Sequence, residues 1–156
     1  MNILIICSRY LHVVAAILAV GGTFFMRVVL PLGLAQADAA SRDAVFLRCR
    51  RVFKMTFHAC TLLFLLTGAF NTWVNWNDYK LNRPLMHGLW GPHLLLGLTA
   101  IVIAFVALAP KQPRKSHRAM ATVTLVLLFA GILCASTLKY VRDHAVKNPS
   151  AAVTAR

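Results

Sequence analysis

Long runs of apolar residues, separated by short polar and basic stretches, dominate the pattern of the chain. A helix that crosses a membrane needs roughly 20 mostly apolar residues, because each residue rises about 1.5 Å through a hydrocarbon layer about 30 Å thick. Four segments meet this length, at about residues 10–34, 52–73, 89–109 and 119–140. None of them shows the alternation typical of a membrane barrel strand. The pattern predicts an all-α protein, a four-helix bundle integral to the membrane.

The predicted connections are short, at residues 35–51, 74–88 and 110–118, so consecutive helices should be antiparallel neighbours in one domain, residues 1–156. We call side A the face with the N-terminus, the second connection and the C-terminus, and side B the face with the other two connections. The basic tail at residues 141–156 is expected to be mobile or to lie on the membrane surface. A cleaved signal peptide is not expected, because the apolar start lacks an early basic residue and a cleavage site.

Composition supports a membrane protein. Hydrophobic residues make up 59% of the chain and charged residues 13%, with a mean hydropathy of +0.68, which excludes an ordinary water-soluble domain. The net charge of +13 comes without a nucleic-acid motif, so anionic headgroups of the lipid bilayer are the expected partner and nucleic acid is not. Ten of the 17 Lys and Arg fall at side B. The positive-inside rule then predicts a multi-pass cell-membrane protein with side B cytoplasmic and both termini outside.

Two histidines are the strongest candidates for a ligand site. His12 lies near the start of the first predicted helix and His93 near the start of the third, so both lie at side A at similar depth. An ionisable residue within a membrane span is costly and therefore a candidate for function. Imidazoles from facing helices of a bundle are known ligands of haem iron. Every Trp and Tyr also falls at side A, which indicates either an interfacial belt or aromatic rings that line a site.

Small residues follow both histidines at helical spacing: Ala15, Ala16, Ala19 and Gly22 after His12, and Gly97, Ala100 and Ala104 after His93. They leave room for a macrocycle, but close helix packing in lipid requires the same residues, and the sequence leaves both interpretations open. His87 and Arg83 lie at the same level. His87 is either an interfacial side chain or a proton relay or metal ligand, and Arg83 either pairs with haem propionates or contacts headgroups.

A second metal site at side B would pair His58 with His117. The run KQPRKSHR around His117 favours a solvated basic loop instead. Arg27 is expected to extend to the side B headgroups. The acids Asp38, Asp43, Asp78 and Asp143 lie outside the predicted spans, which argues against a carboxylate-based proton pump or hydrolase. The scattered cysteines include no CxxCH, which excludes covalent haem attachment, and iron–sulfur or zinc sites are not expected.

The chain resembles the CopD-type family of small four-helix membrane proteins. The resemblance lies in RYLHVVAAILAVGGTFF with VVLPL in the first segment, LLTGAFN in the second and LMHGLWGPHLLLGL in the third. It implies copper transport or resistance, with His12, His87 and His93 as ligands. Many relatives have Lys at the position of His93, however, and imidazole there favours a haem with two histidine ligands. The His and Met clusters of a copper-collecting protein are sparse in this sequence.

The chain is also similar to HemJ-type protoporphyrinogen oxidases, which have a haem-ligating His, a Gly ten residues later, an Arg, and a Lys in the third helix. His12 and Gly22 match that spacing, Arg27 is out by about one position, and His93 replaces the Lys. The leading hypothesis is a b-type cytochrome-like protein that exchanges electrons with a quinone or a redox protein subunit. The alternatives are a haem-dependent oxidoreductase of HemJ type, copper passage, or a structural subunit of a membrane complex or homo-oligomer.

Overall fold

The computed structural model of the protein describes residues 3–77, 86–109 and 114–147. Over these residues the chain forms long helices and no strand. Helix α1 covers Ile3–Gly33, α2 covers Ala39–Val74, α3 consists of Met86–Trp90 and Gly91–Ala107, and α4 covers Arg114–Lys147. Each of the four contains a stretch long and apolar enough to cross a membrane. The predicted all-α membrane bundle is confirmed, and the chain is a multi-pass membrane protein.

Side-chain contacts between the helices show their antiparallel order. The start of α1 meets the end of α2, where His12 contacts Thr67, and the end of α1 meets the start of α4, where Arg27 contacts Thr122. The start of α2 meets the end of α3 through Arg50, which donates to a backbone carbonyl of that helix. α1 packs mainly on α2, and α3 packs mainly on α4. α1 also contacts α4, so α1 and α3 lie diagonally across the bundle.

The centre of the bundle is apolar and tightly packed. Its fully buried side chains come from α1, α2 and the C-terminal part of α3, and they are Ala15, Ala19, Phe57, Cys60, Ala104 and Leu108. Alanines on α1 and α3 let the helices approach closely, and the ring of Phe57 fills the space that remains, at 1% exposure. This core separates the polar groups of side A from those of side B.

The helices extend beyond the predicted spans. α2 begins at Ala39, because the carboxylate of Asp38 accepts a 2.9 Å hydrogen bond from the backbone N–H of Ser41 and caps the helix. α4 begins at Arg114 and continues to Lys147, where an ion pair of 2.8 Å between Lys139 and Asp143 supports its last turns. Most of the first predicted connection is therefore helical. So is the part of the predicted tail up to residue 147.

Two of the four acids lie inside helices, although outside the predicted apolar spans. Asp43 lies within α2 and Asp143 within α4, in the extended ends of those helices. Asp38 precedes α2 as its cap, and Asp78 lies outside the described residues. The prediction rested on apolar length, which finds the lipid-crossing part of a helix but not its polar ends.

Two wide turns of π-helix occur, one within α1 at Phe25–Val29 and one in the first described residues of α3, Met86–Trp90. Each ends two residues before a proline, Pro31 or Pro92. A proline has no N–H to donate, and its ring clashes with the carbonyl four residues earlier. The wider turn moves that carbonyl away, and in α1 the N–H of the residue before Pro31 donates to the carbonyl of Phe25, five residues back.

Candidate functional site

His12 is half-buried at side A, between α1 and α2. Its Nδ1 lies 2.8 Å from the hydroxyl oxygen of Thr67, and its ring packs edge-on against Phe64 with centroids 5.1 Å apart. The Thr67 hydroxyl donates its only proton to the backbone carbonyl of Leu63. It must therefore accept the hydrogen bond from His12, so Nδ1 carries the proton and Nε2 has a free lone pair.

His93 has the same arrangement on α3. Its Nδ1 lies 2.9 Å from the backbone carbonyl of Gly131 on α4. A carbonyl oxygen can only accept, so Nδ1 of His93 donates and its Nε2 also has a free lone pair. Over the described part of the chain, no hydrogen bond reaches the Nε2 atom of either histidine. Both imidazoles are thus fixed in the form that binds a metal through Nε2.

The two histidines lie at matching depth. His12 meets α2 at Thr67, and Trp90 at the start of α3 donates to Thr72 of the same helix at 3.3 Å. His93 is three residues further along α3 than Trp90, which brings it close to the level of Thr67. The structure thus places both imidazoles at similar depth on diagonal helices, and a ligand shared between them stays a prediction.

The small residues near the two histidines serve different purposes. Ala19, at 1% exposure, is buried in the central core, as are Ala15 and Ala104, so these alanines serve helix packing. Ala16 is half-buried. Gly97 is different, because a Cβ atom added there would meet no other atom within 4 Å. The same holds for Gly131, whose carbonyl binds His93. Room for one added methyl group thus exists at these two glycines near His93, as it does at four other glycines of the chain.

Gly22 leaves room for an aromatic ring. A Cβ atom at this position would lie 2.4 Å from Cε2 of Phe53, far inside van der Waals contact. Phe53 packs against both core clusters and lies edge-on to Phe57, with ring centroids 5.7 Å apart. The glycine that matches the HemJ spacing is therefore explained by packing.

The structure does not bring His58 and His117 together. His58 is exposed, its Nδ1 lies 2.5 Å from the carbonyl of Lys54 in its own helix, and its ring faces Phe105 of α3. His117 of α4 packs against Phe46, with ring centroids 5.4 Å apart. Phe46 precedes His58 by twelve residues along α2, which corresponds to about 18 Å of helix axis. The two histidines lie at different depths, so this geometry gives no support to a second shared metal site.

His117 is buried, and the expectation of a solvated loop is wrong. It lies in the first turns of α4 with 3% of its surface exposed. The sequence did contain a signal for this burial. His117, Ala121 and Thr124 recur at helical spacing and are all buried, but the basic residues around His117 favoured a loop instead.

Three predicted residues remain: Arg83, His87 and Arg27. Arg83 lies outside the described residues, and of His87 only the backbone is described, within the wide turn of α3. Arg27 is half-buried and its Nε donates to the hydroxyl of Thr122 at 2.7 Å, so it binds α4.

The aromatic residues of side A fit an interfacial belt. Trp73, Tyr10 and Tyr140 are 75%, 68% and 65% exposed, so these rings face outwards. Trp90 is half-buried and bound to Thr72. Rings of this amphipathic type favour the depth of the headgroups.

Among the described residues, no group of three or more His, Cys, Asp and Glu is arranged to hold a metal ion. The four cysteines are free, and burial is greatest for Cys60 in the central core. The chain matches no protein-family model, no curated protein and no solved structure. Its function must therefore be argued from the geometry of the His12 and His93 pair.

Proposed function

We propose that the protein is a membrane b-type cytochrome-like electron carrier, in which His12 and His93 are the axial ligands of one haem b. The observation that carries the proposal is the shared arrangement of the two imidazoles. They lie at the same depth on diagonal helices, each Nδ1 is held by a hydrogen bond, and no described residue binds either Nε2. Such outer hydrogen bonds fix the orientation of a ligating histidine and raise its basicity.

The number of ligands favours haem over a bare metal ion. A porphyrin supplies four nitrogen atoms to the iron, so the protein needs to add only one or two ligands. A zinc or copper ion bound by side chains alone usually takes three or four. The described residues offer a pair here and no larger group.

Haem would supply a one-electron change of oxidation state within the membrane. The protein's own residues would hold the imidazoles in place through Thr67 and Gly131, while the apolar core below them keeps water from side B away. A membrane quinone or a redox protein subunit is the proposed partner, because the pair lies close to the side A surface. The excess of basic residues supports placing side B in the cytoplasm and this site near the outer face.

Visible spectra of the purified protein and three variants test the proposal. The wild-type protein should show a Soret band and, on reduction, sharp α and β bands with about one haem per chain. His12→Ala and His93→Ala should each remove or strongly alter these bands. His58→Ala is the matched control, because His58 lies in a membrane span but is exposed, and its spectrum should equal that of the wild type.

Two results would contradict the proposal. A folded, colourless protein that takes up no haem would exclude the cofactor, and a stoichiometric copper content in such a protein would favour copper passage instead. Haem bands that persist in both His12→Ala and His93→Ala would place the haem elsewhere. Oxidation of a porphyrinogen by the haem-loaded protein would add the activity implied by the HemJ resemblance without changing the ligands.

A further inference from the structure

Arg27 is held in a fixed position where α1 meets α4 in the side B half of the bundle. Its Nε donates to the hydroxyl of Thr122 at 2.7 Å, and that hydroxyl donates to the backbone carbonyl of Arg118 at 3.0 Å. The hydroxyl thus uses its lone pair for Arg27 and its proton for α4. The guanidinium of Arg27 is therefore oriented by α4 and lies next to the turn that carries Arg118.

Arg118 brings a second guanidinium group to the same place. It precedes Thr122 by four residues, so both side chains lie on one face of α4, with Arg118 one turn closer to side B. Residues at this spacing have Cβ atoms about 5–6 Å apart, which an extended arginine side chain can span. Arg118 is exposed and Arg27 is half-buried. Both guanidinium groups can therefore contact one ligand between α1 and α4.

Neither arginine has a counter-charge from the described part of the chain. No hydrogen bond or ion pair among those residues involves the Nη atoms of Arg27 or the side chain of Arg118. Side B has ten Lys and Arg but only two acids, Asp38 and Asp43, and the carboxylate of Asp38 caps α2. A charge at the edge of the lipid is costly without a partner. The chemistry of the two arginines thus calls for an anion from outside the chain.

Apolar side chains continue from the two arginines towards the middle of the membrane. On α1, the exposed Phe24 lies three residues before Arg27. On α4, the face of Thr122 continues at helical spacing through Val126, Phe129 and Leu133, which are all exposed. A free phosphate would contact only the cationic end of this surface. A phospholipid would contact both parts, with its headgroup at the arginines and its acyl chains along the apolar side chains.

We propose that Arg27, Thr122 and Arg118 form a binding site for the phosphate of one anionic phospholipid. The Nη atoms of Arg27 are available for phosphate oxygens because its Nε is used by Thr122, and guanidinium groups match such oxygens with paired N–H donors. Basic pockets between membrane helices are known to bind lipid headgroups. An anionic lipid is preferred over a zwitterionic one, whose headgroup would bring its own cation close to the two arginines.

Native mass spectrometry of the purified full-length protein in detergent tests the proposal. In titrations, the wild type should retain one phosphatidylglycerol per chain and much less phosphatidylcholine. Arg27→Gln and Arg118→Gln should each weaken phosphatidylglycerol binding about fivefold, and the double variant about 30-fold, because each arginine contributes its own share. Inorganic phosphate in excess should not displace the lipid. Displacement by phosphate, or equal retention of the two lipids, would overturn the proposal.

Two control variants separate a defined site from general attraction to positive charge. Arg51→Gln removes the same charge from an exposed arginine of α2 at side B, and the affinity for phosphatidylglycerol should stay nearly unchanged. Thr122→Val keeps every charge and removes only the exposed hydroxyl that orients Arg27, so the fold should persist while lipid binding weakens.

Equal weakening in Arg51→Gln and Arg27→Gln would mean diffuse attraction, and unchanged binding in Thr122→Val would mean that Arg27 is not oriented for a ligand. Either result overturns the proposal. None of these measurements depends on haem, so their failure leaves the proposed function intact.

Discussion

Histidines at the two ends of the bundle have opposite surroundings. At side A, His12 and His93 are half-buried, each with Nδ1 bound to a neighbouring helix. At side B, His117 is almost fully buried and contacts an aromatic ring, with no hydrogen bond from the described residues. Along α4, the level of His93 at Gly131 and that of His117 are about 21 Å apart. A fixed tautomer with a free Nε2 suits a metal ligand, whereas the imidazole of His117 is packed against an aromatic ring.

An apolar core separates the histidines of side A from His117 at side B. The core between them consists of three alanines, Cys60, Leu108 and the ring of Phe57. The buried hydroxyls of Thr23 and Thr61 bind carbonyls of their own helices. Such a core gives no continuous polar path from one end to the other. The comparison therefore predicts that changes at one end leave the chemistry of the other end intact.

Phe57→Ala should have the largest effect on stability. The ring is 1% exposed at the centre of the core, and removing it leaves a cavity between α1, α2 and α3. We expect a loss of about 3–5 kcal/mol in the free energy of unfolding, measured by denaturation in detergent micelles. The folded fraction should keep the haem spectrum of the wild type. A shift in ligation would show that the core and side A are coupled.

Gly22→Ala should be the next largest change. The new methyl group would overlap the ring of Phe53, which is held by both core clusters, and overpacking of this kind costs about 1–3 kcal/mol. Gly21→Ala is the matched control in the same turn, because a methyl group there meets nothing within 4 Å. It should be neutral or stabilising by up to about 1 kcal/mol. Equal effects of the two substitutions would contradict the packing role given to Gly22.

Thr67→Val should weaken haem binding at side A without disrupting the fold. The substitution removes the acceptor of the His12 hydrogen bond, and loss of such an outer partner typically lowers metal affinity by about 10–100-fold. Haem retention during dialysis against apomyoglobin measures the change. Thr61→Val is the control on the same helix, because that hydroxyl bonds only to the carbonyl of Phe57. Similar haem loss in both variants would mean that the Thr67 contact has no special role.

The smallest predicted effect concerns the start of α2 at side B. Hydrogen bonds from the side chain and backbone of Ser41 lower the pKa of the exposed Asp38 carboxyl from its ordinary value of 3.8. A lowered pKa in the folded state means that the cap stabilises α2 above pH 3.8 and that this contribution disappears as the pH falls through the folded-state pKa. Asp38→Asn keeps a capping oxygen without a titratable charge. Thermal midpoints measured between pH 6 and about 3 should fall more for the wild type than for Asp38→Asn.

Much of this architecture follows from the sequence because hydrophobic length decides which segments cross a membrane. The same rule predicts that His12 and His93 lie at one depth, because each is near the start of its span and the first and third spans run in the same direction. It did not locate the helix ends, because capping by Asp38 and the ion pair of Lys139 are local polar interactions that extend helices beyond the lipid. The burial of His117 was missed for a similar reason. Its neighbour Arg118 is exposed on the same helix that buries His117.

The role of the small residues also needed the structure. The spacing of Gly22 and Ala19 fits either a cofactor cleft or close packing, and only the position of Phe53 and the core alanines separates the two. The room for a methyl group at Gly97 and Gly131 depends on how α3 and α4 face each other. Periodicity within one helix cannot show this.

The most direct test of the central claim is low-temperature electron paramagnetic resonance of the oxidised protein. Two imidazole ligands on one iron predict a low-spin signal in the wild type and in His58→Ala. His12→Ala and His93→Ala should each lose that signal, and any haem they retain should become high-spin. A high-spin signal in the wild type, or a low-spin signal that survives in either of these two variants, would contradict a haem shared by His12 and His93.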